Sequence, residues 1–116
     1  MSDSSSSIAS LKKRRIVAKA KNEVKLIGRV SGGPKIKRLP SGDEVVEIRL
    51  VVERDNVDGV DTLDIASWSS RLRRRTLSLK DQEWISVSGV IRRRFWRSGE
   101  KLASRWQVEA RELKRV

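Results

Sequence analysis

The chain contains no cysteine and no histidine. Disulfides, thiolate nucleophiles and the usual zinc, haem and iron–sulfur ligand sets are thereby excluded. The commonest general base is missing too, and with it the Ser-His-Asp and Cys-His nucleophile systems. Tyrosine is absent and phenylalanine occurs once, so four of the five aromatic residues are tryptophan. No apolar run approaches the roughly 18 residues that a membrane-spanning helix needs. The opening Met1-Ser2-Asp3-Ser4-Ser5-Ser6-Ser7 lacks the charged-then-apolar layout of a secretory signal. The expectation is a soluble, cytoplasmic, non-enzymatic protein with no cofactor, no metal, no small-molecule substrate and no membrane partner.

What is abundant is positive charge. Lysine and arginine total 27 against 15 acids in 116 residues, a formal net charge of +12. A single domain of this size with such an excess favours anionic polymers or anionic surfaces as partners. The charge is also segregated. Residues 43 to 64 hold eight acids and two arginines, whereas residues 65 to 107 hold eleven basic residues and three acids. Trp68, Trp84, Trp96 and Trp106 fall in or beside that basic half, a distribution suited to a binding face.

Residues 1 to 21, serine-rich and then basic through Lys12-Lys13-Arg14-Arg15, Lys19 and Lys21, have almost nothing to bury. They read as a disordered basic arm, leaving residues 22 to 116 as the folded domain. Period-two alternation predicts a strand from Val24 to Val30, interrupted by Gly28 and ended by Gly32-Gly33-Pro34. A glycine inside a strand often marks a bulge or bend. A turn at Pro40-Ser41-Gly42 precedes a second strand, Glu44 to Arg54, with Val46, Ile48, Leu50 and Val52 on one face. Asp55-Asn56-Val57-Asp58-Gly59 is loop chemistry, and a third strand runs from Thr62 to Trp68. Ser69 or Ser70 can cap a helix over Arg71 to Leu79 whose apolar set is Leu72, Leu77 and Leu79, with Thr76. The fourth strand spans Trp84 to Trp96, Ser98-Gly99-Glu100 turns the chain, and a fifth spans Ser104 to Leu113. Three strands, a helix and two strands is the order of an all-β, five-stranded OB-fold barrel with one helix between strands 3 and 4.

The fourth strand carries the chemistry. Arg92, Arg94 and Trp96 share one face of it, while Ile85, Val87 and Ile91 point to the other, with Arg93 and Phe95 beyond the core. Cations beside a flat indole suit a charged polymer with stackable bases, which points to single-stranded nucleic acid.

The motifs also resemble, in order, the bacterial single-stranded DNA-binding protein family. They are Asn22-Glu23-Val24-Lys25-Leu26-Ile27-Gly28-Arg29-Val30, Gly33-Pro34-Lys35-Ile36-Lys37, Pro40-Ser41-Gly42, Val45 to Glu53, Trp68, and Gly89 with Ile91-Arg92-Arg93-Arg94-Phe95-Trp96. The resemblance covers Asn22 to about Leu113. It implies a homotetramer, less often a dimer, that coats single-stranded DNA without reading its sequence, in replication, recombination or repair. Trp68 and Trp96 match two of the family's stacking positions. Thr62 and Asn56 stand where many members carry tryptophan. The basic end Glu112-Leu113-Lys114-Arg115-Val116 differs from the family's acidic, hydrophobic tip. If the chain is complete, it is a specialised paralogue or a bare DNA-binding core.

The candidate DNA-binding set is Trp68 and Trp96 for bases, with Arg92, Arg94, Lys25, Arg29, Lys35, Lys37, Arg38, Arg71 and Arg74 for phosphates. Core packing is the rival reading for Trp68. Trp84 suits a subunit interface or helix packing better than DNA, and Trp106 a wall or interface. Asp58 and Asp61 in the loop and Asp64 on a strand face complete no calcium loop and read as acids that solubilise the loop or hold it away from DNA. Two rivals fit the same residues: an RNA-binding OB module, and an assembly subunit whose basic surface meets acidic protein partners.

Overall fold

The computed structural model describes residues 19–116. Most of the arm expected over residues 1 to 21 therefore lies outside the described residues. Five strands, β1 (Val24–Arg38), β2 (Glu44–Glu53), β3 (Val60–Ser67), β4 (Trp84–Ser98) and β5 (Lys101–Arg115), surround one core, with helix α1 (Ser70–Leu77) between β3 and β4. They close in the order β1-β2-β3-β5-β4. Only the β3–β5 seam is parallel, and it is short, joining Ile65 to Val108 and Ala66 to Glu109. Closure removes free sheet edges, which lets a domain this small enclose a core.

The alternation in β2 does what it predicts: Val46, Ile48 and Leu50 are buried, and Val52 packs against the core from its rim. Val30, Ile65, Ile85, Val87 and Val108 meet Ile48 and Leu50 inside the barrel. At the barrel's end Ser69 caps α1, its hydroxyl accepting from the Leu72 amide at 3.2 Å. Leu72 and Thr76, one turn apart, are buried. The Thr76 hydroxyl donates to the Leu72 carbonyl at 2.7 Å, leaving the Ser67 hydroxyl, also at 2.7 Å, to donate to Thr76. Leu77, expected among the helix's apolar contacts, is exposed because it lies off that face, and Leu79 is buried just beyond the helix end.

Several strand boundaries differ from the sequence reading, most of all the end of β1. β1 does not stop at Gly32-Gly33-Pro34 but continues to Arg38, the ladder with β2 shifting register between Ser31 and Lys35 and then resuming. The glycine–proline segment is absorbed as an irregularity because β2 is long enough to pair on both sides of it. Gly28, read as a bulge or bend, pairs regularly with Ile85. Its requirement is space: a Cβ there would lie 2.3 Å from the Val51 carbonyl oxygen. Arg29, the next residue, pairs with both Val51 and Trp84, so β1 passes from one neighbour to the other at this point.

β4 and β5 form the feature that positions the site. Their antiparallel ladder runs from the Ile85–Arg115 pair to the Ser98–Lys101 pair, with one register shift near Gly89. Gly99 and Glu100 close it as a two-residue turn in which Gly99 takes φ 64°, a positive value that suits the twist of a tight hairpin. β5 therefore begins three residues before the expected Ser104. Beyond Ile91 and Val108 the two strands pair only with each other, as a ribbon extending from the barrel.

Candidate nucleic-acid interface

Cross-strand partners share a face, so the ladder assigns every ribbon residue to a side. Arg92, Arg94 and Trp96 pair with Gln107, Arg105 and Ala103, forming the outer side. Ile91, Arg93 and Phe95 pair with Val108, Trp106 and Ser104, forming the side that continues the core-facing surface.

On the outer side the ribbon and the end of the β1–β2 hairpin border a cavity of about 340 Å³. Lys37, Val45 and Glu47 line it from the hairpin, and Arg94, Phe95, Trp96 and Arg105 from the ribbon. Leu39, partly exposed, adds an apolar wall, Val45 is buried, and Trp96 is 45% exposed. The Arg94 guanidinium carbon sits 4.4 Å from the centre of the Trp68 ring, well within cation–π range. Trp68 is half-buried, and its carbonyl accepts from Arg73. Ring, guanidinium and ring thus follow one another from Trp68 through Arg94 to Trp96. A base can stack on the open indole of Trp96 or on the guanidinium plane that already covers Trp68.

A second cavity, of about 400 Å³, shares Lys37, Glu47 and Arg105 with the first and adds Lys35, Arg49 and Asp64. Together they make a basic track beside the rings. Several of its cations are engaged: Lys37 with Glu47 at 3.0 Å, Arg105 with Asp64 at 3.0 Å, and Arg49 with Asp64 at 3.9 Å. The ion pairs found among the described residues include neither Arg94 nor Lys35, whose charges are thus available to phosphates without breaking a pair. Arg92 lies 3.8 Å from Glu109, and Arg38 donates to Glu44 at 2.5 Å.

The structure therefore brings together Lys35, Lys37, Arg94 and Trp96, with Trp68 joined through Arg94. It places Lys25 and Arg29 elsewhere, on the outside of the β1–β4 wall, opposite Ser88 and Trp84. Arg29 is paired there with Glu53 at 3.6 Å. Trp84 is 44% exposed and Ile27, its diagonal neighbour by register, 53% exposed. Arg71 borders a small cavity with Trp68, whereas Arg74 is exposed on the helix. Asp61, read as a loop acid, is bound by Arg54, and Asp64, read as lying on a strand face, by Arg49 and Arg105.

Sequence reasoning missed Arg105 and Arg49, which enter the track only through the ladder. It also missed Glu47 as the acid of the groove. Burial pushes the Glu47 carboxyl up, but hydrogen bonds from Lys37 and Gln107 and the charges of Lys37 and Arg105 outweigh it, holding it below the usual carboxylate range. A depressed folded-state value means that its contribution to stability is present above the ordinary carboxylate pKa of about 4.3 and is lost as pH falls through the lowered one. The same carboxylate opposes phosphate. Glu47→Gln is accordingly expected to tighten oligo-dT binding several-fold at low salt, since it frees Lys37, with the gain shrinking as salt screens the groove. Fluorescence titrations of both proteins across a salt series measure this.

No helix among the described residues is long and apolar enough to cross a membrane. The closed five-stranded barrel with a helix between β3 and β4 defines the chain as an OB-fold protein. The same fold is seen in the SSB of Plasmodium falciparum, solved in complex with single-stranded DNA. The two are 22% identical over 84% of this chain and 96% of that one, with a TM-score of 0.66. No family model matches the chain, and no curated protein matches it.

Proposed function

We propose that this protein binds single-stranded DNA without catalysis and without reading sequence, as a member of the bacterial single-stranded DNA-binding protein family. The observation that carries this reading is the Trp68–Arg94–Trp96 run beside a lysine- and arginine-lined groove. Bases stack on the indole and guanidinium planes while phosphates follow Lys35, Lys37, Arg94 and Arg105, the combination that holds an unpaired strand irrespective of its bases. The structure of the similar Plasmodium SSB with single-stranded DNA supports the reading through the shared fold. Arg71, Arg92 and Arg38 extend the phosphate path at its margins. Work in replication, recombination or repair in the cytoplasm follows from that binding. The exposed Trp84 and Ile27, remote from the groove on the β1–β4 wall, suit a contact between copies of the chain, giving a tetramer or a dimer.

The test is titration with oligo-dT, followed by tryptophan fluorescence. Binding is expected at about 50 mM salt, with log K falling against log salt by about 0.7 for each phosphate contacted. Light scattering on the same samples reads the number of copies with and without DNA. Negligible binding at low salt would rule the proposal out in favour of an assembly subunit. Tighter binding of RNA than of DNA of the same sequence would move it to the RNA-binding class.

A further inference from the structure

The inner side of the ribbon has its own aromatic surface. Phe95 and Trp106 are 57% and 62% exposed. Between them lies Arg93, its guanidinium carbon 5.4 Å from the Phe95 ring centre and 5.6 Å from that of Trp106. The guanidinium is held in place, Nε and Nη2 both donating to the Ser104 hydroxyl at 3.2 and 2.9 Å. Beside Trp106, where β3 and β5 part, a cleft of about 380 Å³ opens, lined by Thr62, Leu63, Asp64, Ile91, Arg105 and Trp106, with the Asp64 carboxylate neutralised by Arg105 at 3.0 Å. The charged side chains that the ladder assigns to this side beyond Ile91 are Arg93 and Arg97, both cationic.

We propose that this inner side is a second base-stacking site for single-stranded DNA, with Trp106 and Phe95 as the platforms and Arg93 as the fixed cation between them. The proposal rests on the reading of the outer groove as a single-strand site, and the strand held there is the one that reaches this side.

The chemistry favours a nucleic acid over a second copy of the chain. Two exposed rings flank a cation whose plane is set by hydrogen bonds and which forms no ion pair among the described residues. An apolar partner would have to desolvate that guanidinium without compensation, whereas a polynucleotide supplies both a π-face and a phosphate. The ribbon is one layer thick and two strands wide, so a strand leaving Trp96 has only the ribbon's edge to cross to reach Trp106. The cleft beside Trp106 is walled by Leu63 and Ile91, so a base entering it gains apolar contact on its edge as well as its face.

The experiment compares the parent protein with Trp106→Ala, Trp106→Phe, Arg93→Gln and Trp96→Ala on a ladder of oligo-dT lengths, reading affinity and nucleotides bound per chain. Trp106→Ala is expected to bind short oligonucleotides as the parent does, to lose roughly fivefold on long ones, the lower end of a stacking contribution, and to cover fewer nucleotides. Trp106→Phe should recover most of the loss, and Arg93→Gln should share it. Trp96→Ala should weaken every length. If Trp106→Ala and Arg93→Gln match the parent at all lengths while Trp96→Ala loses affinity, the second site is overturned and the outer groove stands. If Trp106→Ala instead lowers the mass of the DNA-free particle by light scattering and leaves nucleotides per chain unchanged, this side is a contact between copies and the proposal is overturned. If the parent binds no length, both readings fall together.

Discussion

Trp96→Ala is expected to weaken oligo-dT binding by about 1–3 kcal/mol, roughly 5- to 150-fold, the worth of one stacked base. The expectation follows from where the ring sits. Trp96 is nearly half exposed and borders the groove whose other walls carry Lys37, Arg94 and Arg105. It belongs to none of the buried core, so the substitution removes a platform without disturbing the barrel, and the thermal melt should be unchanged. Trp68→Ala is less clean as a test, since that ring is half-buried and supports Arg94 from beneath. Fluorescence titration at fixed salt decides the matter. An affinity equal to the parent's would remove Trp96 from the interface and leave the groove as a purely electrostatic feature.

A large effect on stability is expected from Gly28→Ala, as from Gly89→Ala, where an added Cβ would lie 2.1 Å from the Glu109 carbonyl oxygen. In Gly28→Ala the added methyl would approach the Val51 carbonyl oxygen to 2.3 Å and the Val51 carbonyl carbon and Val52 Cγ2 to 3.1 Å. The nearest obstacles are backbone atoms, which cannot swing aside as a side chain can, and they belong to the crossing where β1 exchanges β4 for β2. A cost at the upper end of the 1–3 kcal/mol typical of overpacking is expected. For a domain of this size each kcal/mol lowers the melting temperature by about 4–8 °C. Gly33→Ala is the control: a Cβ there meets nothing within 4 Å, so its melt should stay close to the parent's. Equal melts for Gly28→Ala and Gly33→Ala, followed by circular dichroism, would show that the crossing is looser than the 2.3 Å approach implies.

The barrel was legible because the core-lining parts of β2 and β4 obey a period of two, even though β3 buries three residues in a row. Val46-Ile48-Leu50 in β2 and Ile85-Val87 in β4 identify the inner face without any tertiary information. The end of β1 was not legible, because Gly32-Gly33-Pro34 has the local chemistry of a stop and only the length of β2 overrules it. The candidate site divides in the same way. Arg92, Arg94 and Trp96 share a side by spacing along one strand, which a sequence displays. Arg93, Phe95 and Trp106 meet across two strands, and their proximity depends on a turn of two residues rather than three. Counting outward from Gly99 and Glu100 pairs Arg97 with Leu102 and hence Arg93 with Trp106, so the signal was present in the tightness of the turn. Glu47 was hidden for a different reason. Its place in the groove comes from β1 returning to pair with β2 beyond Pro34, the very stretch that the sequence reading left out.

None of residues 92 to 106 contributes to the buried core. What grips and what folds are consequently separate parts of one chain, joined at the Ile91–Val108 pair. Rings and cations can be exchanged along the hairpin to alter reach, strength or choice of polymer while the barrel keeps its melting point. A protein arranged this way can diverge in what it holds long before it changes in what it is.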